Sequence, residues 1–266
     1  MSSVRIASFN LKHDFFLARH NRWRDRRELV RRIILEAGPA IVGVQELMPA
    51  MREDLRRLLR EYNVFGFGRS RDLGNEESAI LVRSADNVVC YDKTFWLSHH
   101  PEKRGSRAFF AVFPRICTVC EVEVGSLGRR IRIFNTHFDH ICGPARTLGA
   151  RVILEYMHRL NQKEPLPMVL MGDLNAAPDS LPVRILSENL HRYPDIRLHN
   201  LYDYLDRSRV TGTYHGFSGI SRRSPIDYIF FTDDFQVENA YIDTGSVDGR
   251  YPSDHFPLVA ELSLKE

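Results

Sequence analysis

The residues best suited to chemistry lie where apolar runs of the sequence meet polar ones. The segment Ile133 to His140, IFNTHFDH, starts with β-branched and aromatic residues and ends in Thr, His, Asp and His, which can hold protons, metals or phosphate. The same change recurs beside other apolar runs, at Asn10, Glu46, His137, Asp139, Asp173, Asn175, Asp227, Asp254 and His255. Since rigid strands can aim side chains into a shared cleft, this repetition predicts one site built from several strand ends.

This set of side chains suits metal-assisted hydrolysis of a phosphoester. Hard cations such as Mg²⁺ bind oxygen ligands and keep some of their waters, and Glu46, Asp254 and Asn10 offer two carboxylates and an amide. Two imidazoles beside paired carboxylates can neutralise an in-line phosphoryl transition state while a carboxylate orients the attacking water. A single Asp or Asn at a strand end usually makes a turn, so the inference depends on the whole set.

The elements that must position these residues are strands and helices without a regular βαβ alternation. Eight segments have the composition of strands: VRIASFN, AIVGVQE, SAILVR, RICTVCEVEV, RIRIFNTHF, PMVLMGDLN, PIDYIFF and FPLVAELSL. Three have helical periodicity: WRDRRELVRRIILEAG, with a predicted cap at Gly38, PAMREDLRRLLREY and PARTLGARVILEYMHRLNQ. This mixture predicts an α/β protein of two packed sheets covered by helices. No repeat or linker divides residues 1 to 266, which predicts a single domain.

The composition excludes few classes of protein. Lys plus Arg number 37 against 34 Asp plus Glu, a bias too weak to identify a nucleic-acid-binding protein. Cys117 and Cys120 form a C-x-x-C inside a predicted strand, where they should point to opposite faces, so buried thiols are favoured over a metal or redox site. With few cysteines, no recognisable signal peptide and no long apolar run, the chain is expected to be a cytoplasmic monomer without integral membrane association.

Taken in order, six motifs resemble those of the endonuclease/exonuclease/phosphatase superfamily over about residues 4 to 262. They are SFN with Asn10, QE with Glu46, NTHFDH with His137, GDLN with Asp173 and Asn175, IDYIF with Asp227 and SDHFP with Asp254 and His255. The joint occurrence of these motifs is highly specific. The resemblance implies a DNase I-like α/β/β/α sandwich, in which helices cover two mixed, mostly antiparallel sheets.

The resemblance also implies a role for each matching residue. Glu46 is similar to the principal ligand of Mg²⁺ or Mn²⁺, supported by Asn10 and Asp254. Asp173 resembles the residue that orients or deprotonates the nucleophilic water, and Asn175 one that contacts the phosphate. His255 is similar to the histidine at the scissile phosphate, with Asp227 as its carboxylate partner, and His137 to a second phosphate-facing histidine.

Further positions carry two interpretations each. Glu76, with Glu77 as the alternative, resembles a glutamate that pairs with the second histidine, and Arg115 resembles an arginine that contacts phosphate. A plain surface ion pair competes with both roles. Asp139 and His140 either line the rim of the site or brace its loop.

Three functions are compatible with this sequence. The first is a metal-dependent phosphodiesterase acting on nucleic acid, with Tyr214 or Phe217 stacking a base and with backbone contacts from Arg22, Arg24, Arg69, Arg71, Arg222 and Arg223. The second is a phosphatase or phospholipase-type hydrolase of small phosphorylated metabolites or lipids, which a narrow pocket would favour. The third, a non-catalytic binding module, is disfavoured because Glu46, Asp173 and His255 are all present.

Overall fold

A computed structural model describes residues 2–15, 21–221 and 223–265 of the chain. Its strands are β1 Ser3–Asn10, β2 Ile41–Leu47, β3 Tyr62–Phe65, β4 Glu77–Arg83, β5 Asn87–Trp96, β6 Ile116–Val124, β7 Arg129–His137, β8 Met168–Asp173, β9 Leu198–Asn200, β10 Asp227–Thr232, β11 Phe235–Ile242 and β12 Leu258–Leu264. Its α-helices are α1 Trp23–Ala37, α2 Pro49–Leu58, α3 Gly143–Lys163 and α4 Leu181–Ser187. None of these described helices combines the length and the apolar character that crossing a membrane requires.

The strands form two six-stranded sheets. The order is β11-β12-β1-β2-β4-β3 in the first sheet and β5-β6-β7-β8-β10-β9 in the second. The pairs β1–β2 and β7–β8 are parallel, and the remaining named pairs are antiparallel. The predicted pair of mixed, mostly antiparallel sheets is confirmed.

Apolar side chains bind the sheets and helices into four layers. Helices α1 and α2 bury Val30, Ile34 and Leu55 against the first sheet, and α3 and α4 cover the second sheet. A separate apolar cluster fills the space between the sheets, where Ile41 of β2 and Ile133 of β7 are both fully buried. Burial of these faces supplies most of the driving force for this arrangement, and it confirms the predicted α/β/β/α sandwich.

Two local predictions are also confirmed. Helix α1 ends at Gly38, which has the left-handed φ of 62° and donates its N–H to the Ile34 carbonyl, as a helix cap requires. Cys117 lies in the cluster beneath the helices and Cys120 in the cluster between the sheets, so the two thiols face opposite sides of β6. Burial raises the pKa of both thiols well above the usual value, which makes them unreactive packing groups.

One buried polar contact links the two sheets. Asn135 of β7 donates its side-chain N–H groups to the backbone carbonyls of Val44 on β2, at 2.9 Å, and Ala79 on β4, at 2.7 Å. Its side-chain oxygen accepts a hydrogen bond from Gln45 at 2.7 Å. Gly43 permits this close approach, because an added Cβ would lie 2.8 Å from the Asn135 oxygen. The link holds β2 where its ladder with β4 is interrupted by a bulge between Val44 and Leu47.

We expect Asn135→Ala to destabilise the fold by about 2 to 4 kcal/mol, because it removes three buried hydrogen bonds, to Val44, Ala79 and Gln45. Urea unfolding followed by circular dichroism would measure the change. Asn161→Ala, which removes only exposed hydrogen bonds to Asp195, serves as the control and should stay within about 0.5 kcal/mol of wild type. Equal stability of the two variants would contradict the structural role of Asn135.

Candidate active site

Central strands of both sheets bring the predicted residues to one edge of the sandwich. Asn10 is the last residue of β1, and His137 and Asp173 are the last residues of the parallel strands β7 and β8. Asp227, the first residue of the antiparallel β10, pairs with Asp173, which also pairs with His137. The sheet register therefore places three of these side chains next to one another.

The bulge in β2 turns Glu46 toward the same edge. Glu46 has a positive φ of 57°, which is rare for residues other than glycine and here reorients its carboxylate. The Asn10 side-chain N–H groups lie 3.2 Å from Glu46 Oε1 and 2.9 Å from Asp173 Oδ2. This amide therefore joins the first sheet's carboxylate to that of the second sheet.

The carboxylates of Glu46 and Asp254 face a common cation position. The Lys12 ammonium lies 3.6 Å from Glu46 Oε2 and 3.6 Å from Asp254 Oδ2, and His13 also contacts Glu46. Burial would raise the pKa of Glu46, but the His13 hydrogen bond and the positive charges of His137 and Lys12 hold it well below the usual value. The carboxylates of Glu46 and Asp254 and the nearby amide oxygen of Asn10 are a donor set that fits Mg²⁺ or Mn²⁺.

Asp227, His255 and Asp173 form a second buried group. His255 Nδ1 lies 2.9 Å from Asp227 Oδ2, and its Nε2 lies 3.9 Å from Asp173 Oδ2. Burial would lower the pKa of His255, but Asp227, Asp173 and Asp254 raise it to about 10. The imidazole is therefore charged at neutral pH. These three side chains also lie close enough to hold a cation, but Asp227 occupies one ring nitrogen of His255.

Burial and the charge of Asp227 raise the pKa of Asp173 above the usual value. Its Oδ2 lies between two imidazoles, 3.6 Å from His137 Nε2 and 3.9 Å from His255 Nε2, and its Oδ1 accepts the backbone N–H of Asn175. A carboxylate with a raised pKa is a better proton acceptor from water than an ordinary aspartate.

A third group of buried side chains at the site consists of His137, Glu76 and two arginines. His137 Nδ1 lies 3.0 Å from Glu76 Oε1, and its Nε2 lies 2.9 Å from the Asn175 amide. Arg69 and Arg115 reach the Glu76 carboxylate at 3.0 and 3.4 Å. Burial would raise the pKa of Glu76, but the His137 hydrogen bond and these charges lower it to about 2.

The structure decides between the interpretations that the sequence left open for Glu76 or Glu77 and for Asp139 and His140. Glu77 pairs with Arg52, so Glu76 is the glutamate beside His137. His140 lines the pocket and lies 2.9 Å from Arg115 Nη2, whereas Asp139 braces the start of α3 by accepting the Ile141 and Cys142 N–H groups.

One pocket of about 640 Å³ lies at this site, and its lining includes Glu46, Glu76, His137, Asp173 and His255. Phe113 and Tyr214 line its sides, and the Tyr214 ring centroid lies 5.2 Å from that of His255. Of the arginines proposed to contact a nucleic-acid backbone, Arg69 and Arg223 line this pocket, while Arg22 pairs with Asp14 and Arg24 with Asp25. Arg71 is exposed, and Arg222 lies outside the described residues. Phe217 stacks near Arg26 instead of lining the pocket.

Comparison with known proteins identifies the family of this chain. The model of the Endonuclease/Exonuclease/phosphatase family matches residues 7–255. The chain belongs to this family. Similar solved structures include the family member from Bacteroides vulgatus, with 29% identity, a TM-score of 0.90 and full coverage of both chains. Comparison with curated proteins gave no match.

Two other structures show the range of this family's fold. The mannosyl-6-phosphatase Bt3783 of Bacteroides thetaiotaomicron has 28% identity and a TM-score of 0.89, with 98% of this chain and 100% of that one covered. The human Nocturnin catalytic domain has 19% identity and a TM-score of 0.76, with 99% and 95% covered, and at this identity the likeness concerns the fold alone. The protein described here belongs to a family of phosphoesterases, because the family model matches residues 7–255.

Sequence reasoning missed several residues of the pocket wall, including Lys12 and His13. Both directly follow the SFN motif, and their nearness to Asn10 was the available signal. Arg69 was predicted to contact a nucleic-acid backbone; it lines the pocket, but it is 8% exposed and pairs with Glu76. Its partner lies seven residues away across a loop, which no periodic pattern in the sequence indicates.

The pKa of Glu76 predicts how its contribution to stability changes with pH. Its folded-state pKa of about 2 lies below the reference value of 4.5, so the carboxylate stabilises the fold above pH 4.5, and this contribution is lost as pH falls toward 2. We expect Glu76→Gln to lower the free energy of unfolding by about 2 to 3 kcal/mol at pH 7 and progressively less below pH 4.5. Urea unfolding of wild type and Glu76→Gln, measured from pH 7 into the acid range below pH 4.5, would test this expectation.

Glu77→Gln is the matched control. Burial raises the pKa of Glu77, so its replacement should not reproduce the loss of stability at pH 7 followed by recovery in acid. If Glu76→Gln lowered the free energy of unfolding by the same amount at every pH, the carboxylate would not stabilise the fold through its charge.

Proposed function

We propose that this protein is a divalent-metal-dependent phosphatase that removes phosphate from a small phosphorylated metabolite, with sugar phosphates as the first class to test. The observation that carries the proposal is the enclosure of the reactive side chains. Glu46, His137, Asp173 and His255 are each at most 7% exposed and line a pocket of about 640 Å³. This volume lies within the range of about 300 to 1,000 Å³ that is typical of small-molecule sites.

Glu46, Asp254 and the amide of Asn10 are the proposed metal ligands. When bound, Mg²⁺ or Mn²⁺ supplies positive charge to the phosphoryl oxygens. Lys12 and His13 contribute further positive or hydrogen-bonding groups beside Glu46. The lowered pKa of Glu46 keeps this carboxylate ionised, so it retains the negative charge that attracts a divalent cation.

Residues of the second sheet and its loops, together with His255 from the loop before β12, act on the phosphate and the water. Asp173 accepts a proton from the attacking water, whose oxygen forms the new bond to phosphorus while the ester bond breaks. The leaving oxygen takes a proton from solvent and departs as the alcohol. His137 and Asn175 contact phosphoryl oxygens from one side, and the charged His255 faces them from the other. Asp227 keeps His255 oriented and positively charged.

Charge pairing and a relative support a small substrate. Arg69 and Arg115, two buried arginines that line the pocket, both pair with Glu76, so part of their charge is neutralised before any polyanion binds. The similar structure from Bacteroides thetaiotaomicron is a mannosyl-6-phosphatase that aligns over its whole chain. Phe113 and Tyr214 offer aromatic surfaces to an apolar sugar face at the pocket mouth.

A second candidate is a phosphodiesterase acting on single-stranded nucleic acid, and an exposed rim beside the pocket favours it. This rim, formed by residues 71 and 103–113, carries exposed cations at Arg71, Lys103, Arg104 and Arg107. Phe109 and Phe110 are 74% and 78% exposed. The Phe113 ring leads into the pocket wall, with its centroid 4.8 Å from the Arg69 guanidinium. Cations next to aromatic rings are typical of single-strand binding surfaces.

Hydrolysis assays on a panel of substrates separate the two candidates. Mannose 6-phosphate, other sugar phosphates, p-nitrophenyl phosphate and its bis ester, and single-stranded RNA and DNA would be incubated with Mg²⁺, Mn²⁺ or EDTA. We expect metal-dependent phosphate release from monoesters, and a sugar phosphate as the best substrate. Metal-dependent cleavage of RNA or DNA, without monoester hydrolysis, would overturn the phosphatase and support the nuclease.

Asp173→Asn should lower kcat by about 10³-fold with little change in folding, because the amide cannot accept the proton of water. Asp203→Asn, at an exposed aspartate away from the pocket, is the control and should keep full activity. Circular dichroism would verify the fold of both variants. Full activity of Asp173→Asn on every substrate would refute the assignment of Asp173 as the proton acceptor.

The rim gives an independent prediction. Replacing Phe109 and Phe110 with Ser should leave hydrolysis of p-nitrophenyl phosphate within about twofold, since neither ring lines the pocket. If the nuclease candidate is correct, the same double variant weakens RNA binding by about tenfold or more, because stacking contributes about 1 to 3 kcal/mol per base. Fluorescence anisotropy with labelled RNA at several salt concentrations would measure the RNA affinity of wild type and the double variant.

A further inference from the structure

Arg26 is a buried cation outside the predicted site. It lies on α1, is 1% exposed, and donates hydrogen bonds through all three guanidinium nitrogens. Nε donates to the carbonyl of Asn21 at 2.9 Å. Nη1 donates to the carbonyls of Leu11 and Pro252, and the distance to Pro252 is 3.0 Å. Nη2 donates to the carbonyl of Lys12. All four acceptors are backbone carbonyl oxygens.

The carbonyls that Arg26 binds belong to the two loops that carry the proposed metal ligands. Leu11 and Lys12 directly follow Asn10, and Pro252 lies two residues before Asp254. The loops also meet through Ser253, whose hydroxyl donates to the Asn10 carbonyl at 2.6 Å. One guanidinium therefore fixes the separation of segments that are about 240 residues apart in the sequence.

A third loop contacts the same guanidinium. The Phe217 ring centroid lies 5.7 Å from the Arg26 guanidinium carbon, and the Trp23 ring lies 5.4 Å from it on α1. Phe217 follows Tyr214, which lines the pocket. Aromatic rings beside a guanidinium attract its charge, so the Phe217 loop is held at the same point as the two ligand loops.

The chemistry of this contact requires arginine. A buried charge is expensive unless its donors are satisfied, and the planar guanidinium satisfies several carbonyls in fixed directions. Lysine has a single nitrogen with three donors, so it cannot reproduce this fork from the same backbone position. If apolar packing were the only role, a hydrophobic residue would fill this space without the cost of burying a charge.

We propose that Arg26 is a positioning residue that holds Asn10 and Asp254 at the separation needed to bind the divalent cation. The proposal rests on the metal site of the proposed function, and it adds that the affinity of that site depends on a side chain that touches neither metal nor substrate. Side chains that support metal ligands in this way typically change affinity by about 10- to 100-fold when replaced.

The test measures divalent-cation affinity, using the purified full chain without substrate. Mn²⁺ binding would be followed by electron paramagnetic resonance and Mg²⁺ binding by calorimetry for wild type, Arg26→Lys and Arg132→Lys. Arg132 is the matched control because it is also 1% exposed, and it pairs with Glu121 and the Glu164 carbonyl away from the pocket. Thermal unfolding without metal would be recorded for all three proteins.

We expect Arg26→Lys to weaken binding of both cations by about tenfold or more, while Arg132→Lys stays within about twofold although both variants lose stability. A folded Arg26→Lys protein with wild-type affinity would overturn the proposal. A wild type that binds neither cation would instead refute the metal site of the proposed function, and with it this inference. The two failures are therefore distinguishable.

Ser253→Ala provides a second variant that does not depend on replacing Arg26. It removes another direct bond between the same two loops, without changing a charge. We expect a smaller loss of affinity, about threefold, because Arg26 still holds both loops. If Arg26→Lys does not fold, unchanged affinity in Ser253→Ala would contradict the idea that the separation of these loops controls the metal site.

Discussion

The hydrogen bonds of Asn135 hold the two sheets together at the place where the site begins. Two apolar sheet faces can slide over one another at little cost, because dispersion and burial are not directional. The amide of Asn135 is directional, and it binds two carbonyls of the first sheet from a strand of the second. It therefore fixes the relative position of β2, which carries Glu46, and β7, which carries His137.

This arrangement divides the chemistry between the sheets. The first sheet and the loop before β12 contribute Glu46, Asp254 and His255, and the second sheet contributes His137, Asp173 and Asp227. The Asn10 amide bridges the two sets through Glu46 and Asp173. A shift of one sheet by an ångström would separate the groups that we propose act on the same phosphate, and catalysis is sensitive to displacements of that size.

The site is stable because its buried charges alternate in sign. Each buried carboxylate has a cationic or hydrogen-bonding neighbour: Lys12 and His13 beside Glu46, Arg69 and His137 beside Glu76, and His255 beside Asp227. Without such partners, burial would neutralise these groups instead of leaving them ionised. The same alternation pairs the buried Arg69 and Arg115 of the pocket wall with Glu76.

The sequence by itself predicted the eight interior strands, the four-layer fold and the residues that meet at its edge. The four strands that it did not indicate, β3, β5, β9 and β11, are the outer strands of the two sheets. An outer strand is partly exposed and pairs on one side only, so its composition is not constrained to the apolar runs that mark interior strands. Short motifs identified the site because they lie within single strand ends.

Only the tertiary structure showed the contacts between those motifs. Lys12 with Asp254, Arg26 with Pro252 and Asn135 with Val44 join positions that are far apart in the chain. No local periodicity records such pairs, because helix and strand patterns report which face of an element is buried and not which partner covers it. The sequence thus determined which groups were available for the chemistry, and the packing of the two sheets decided which of them touch.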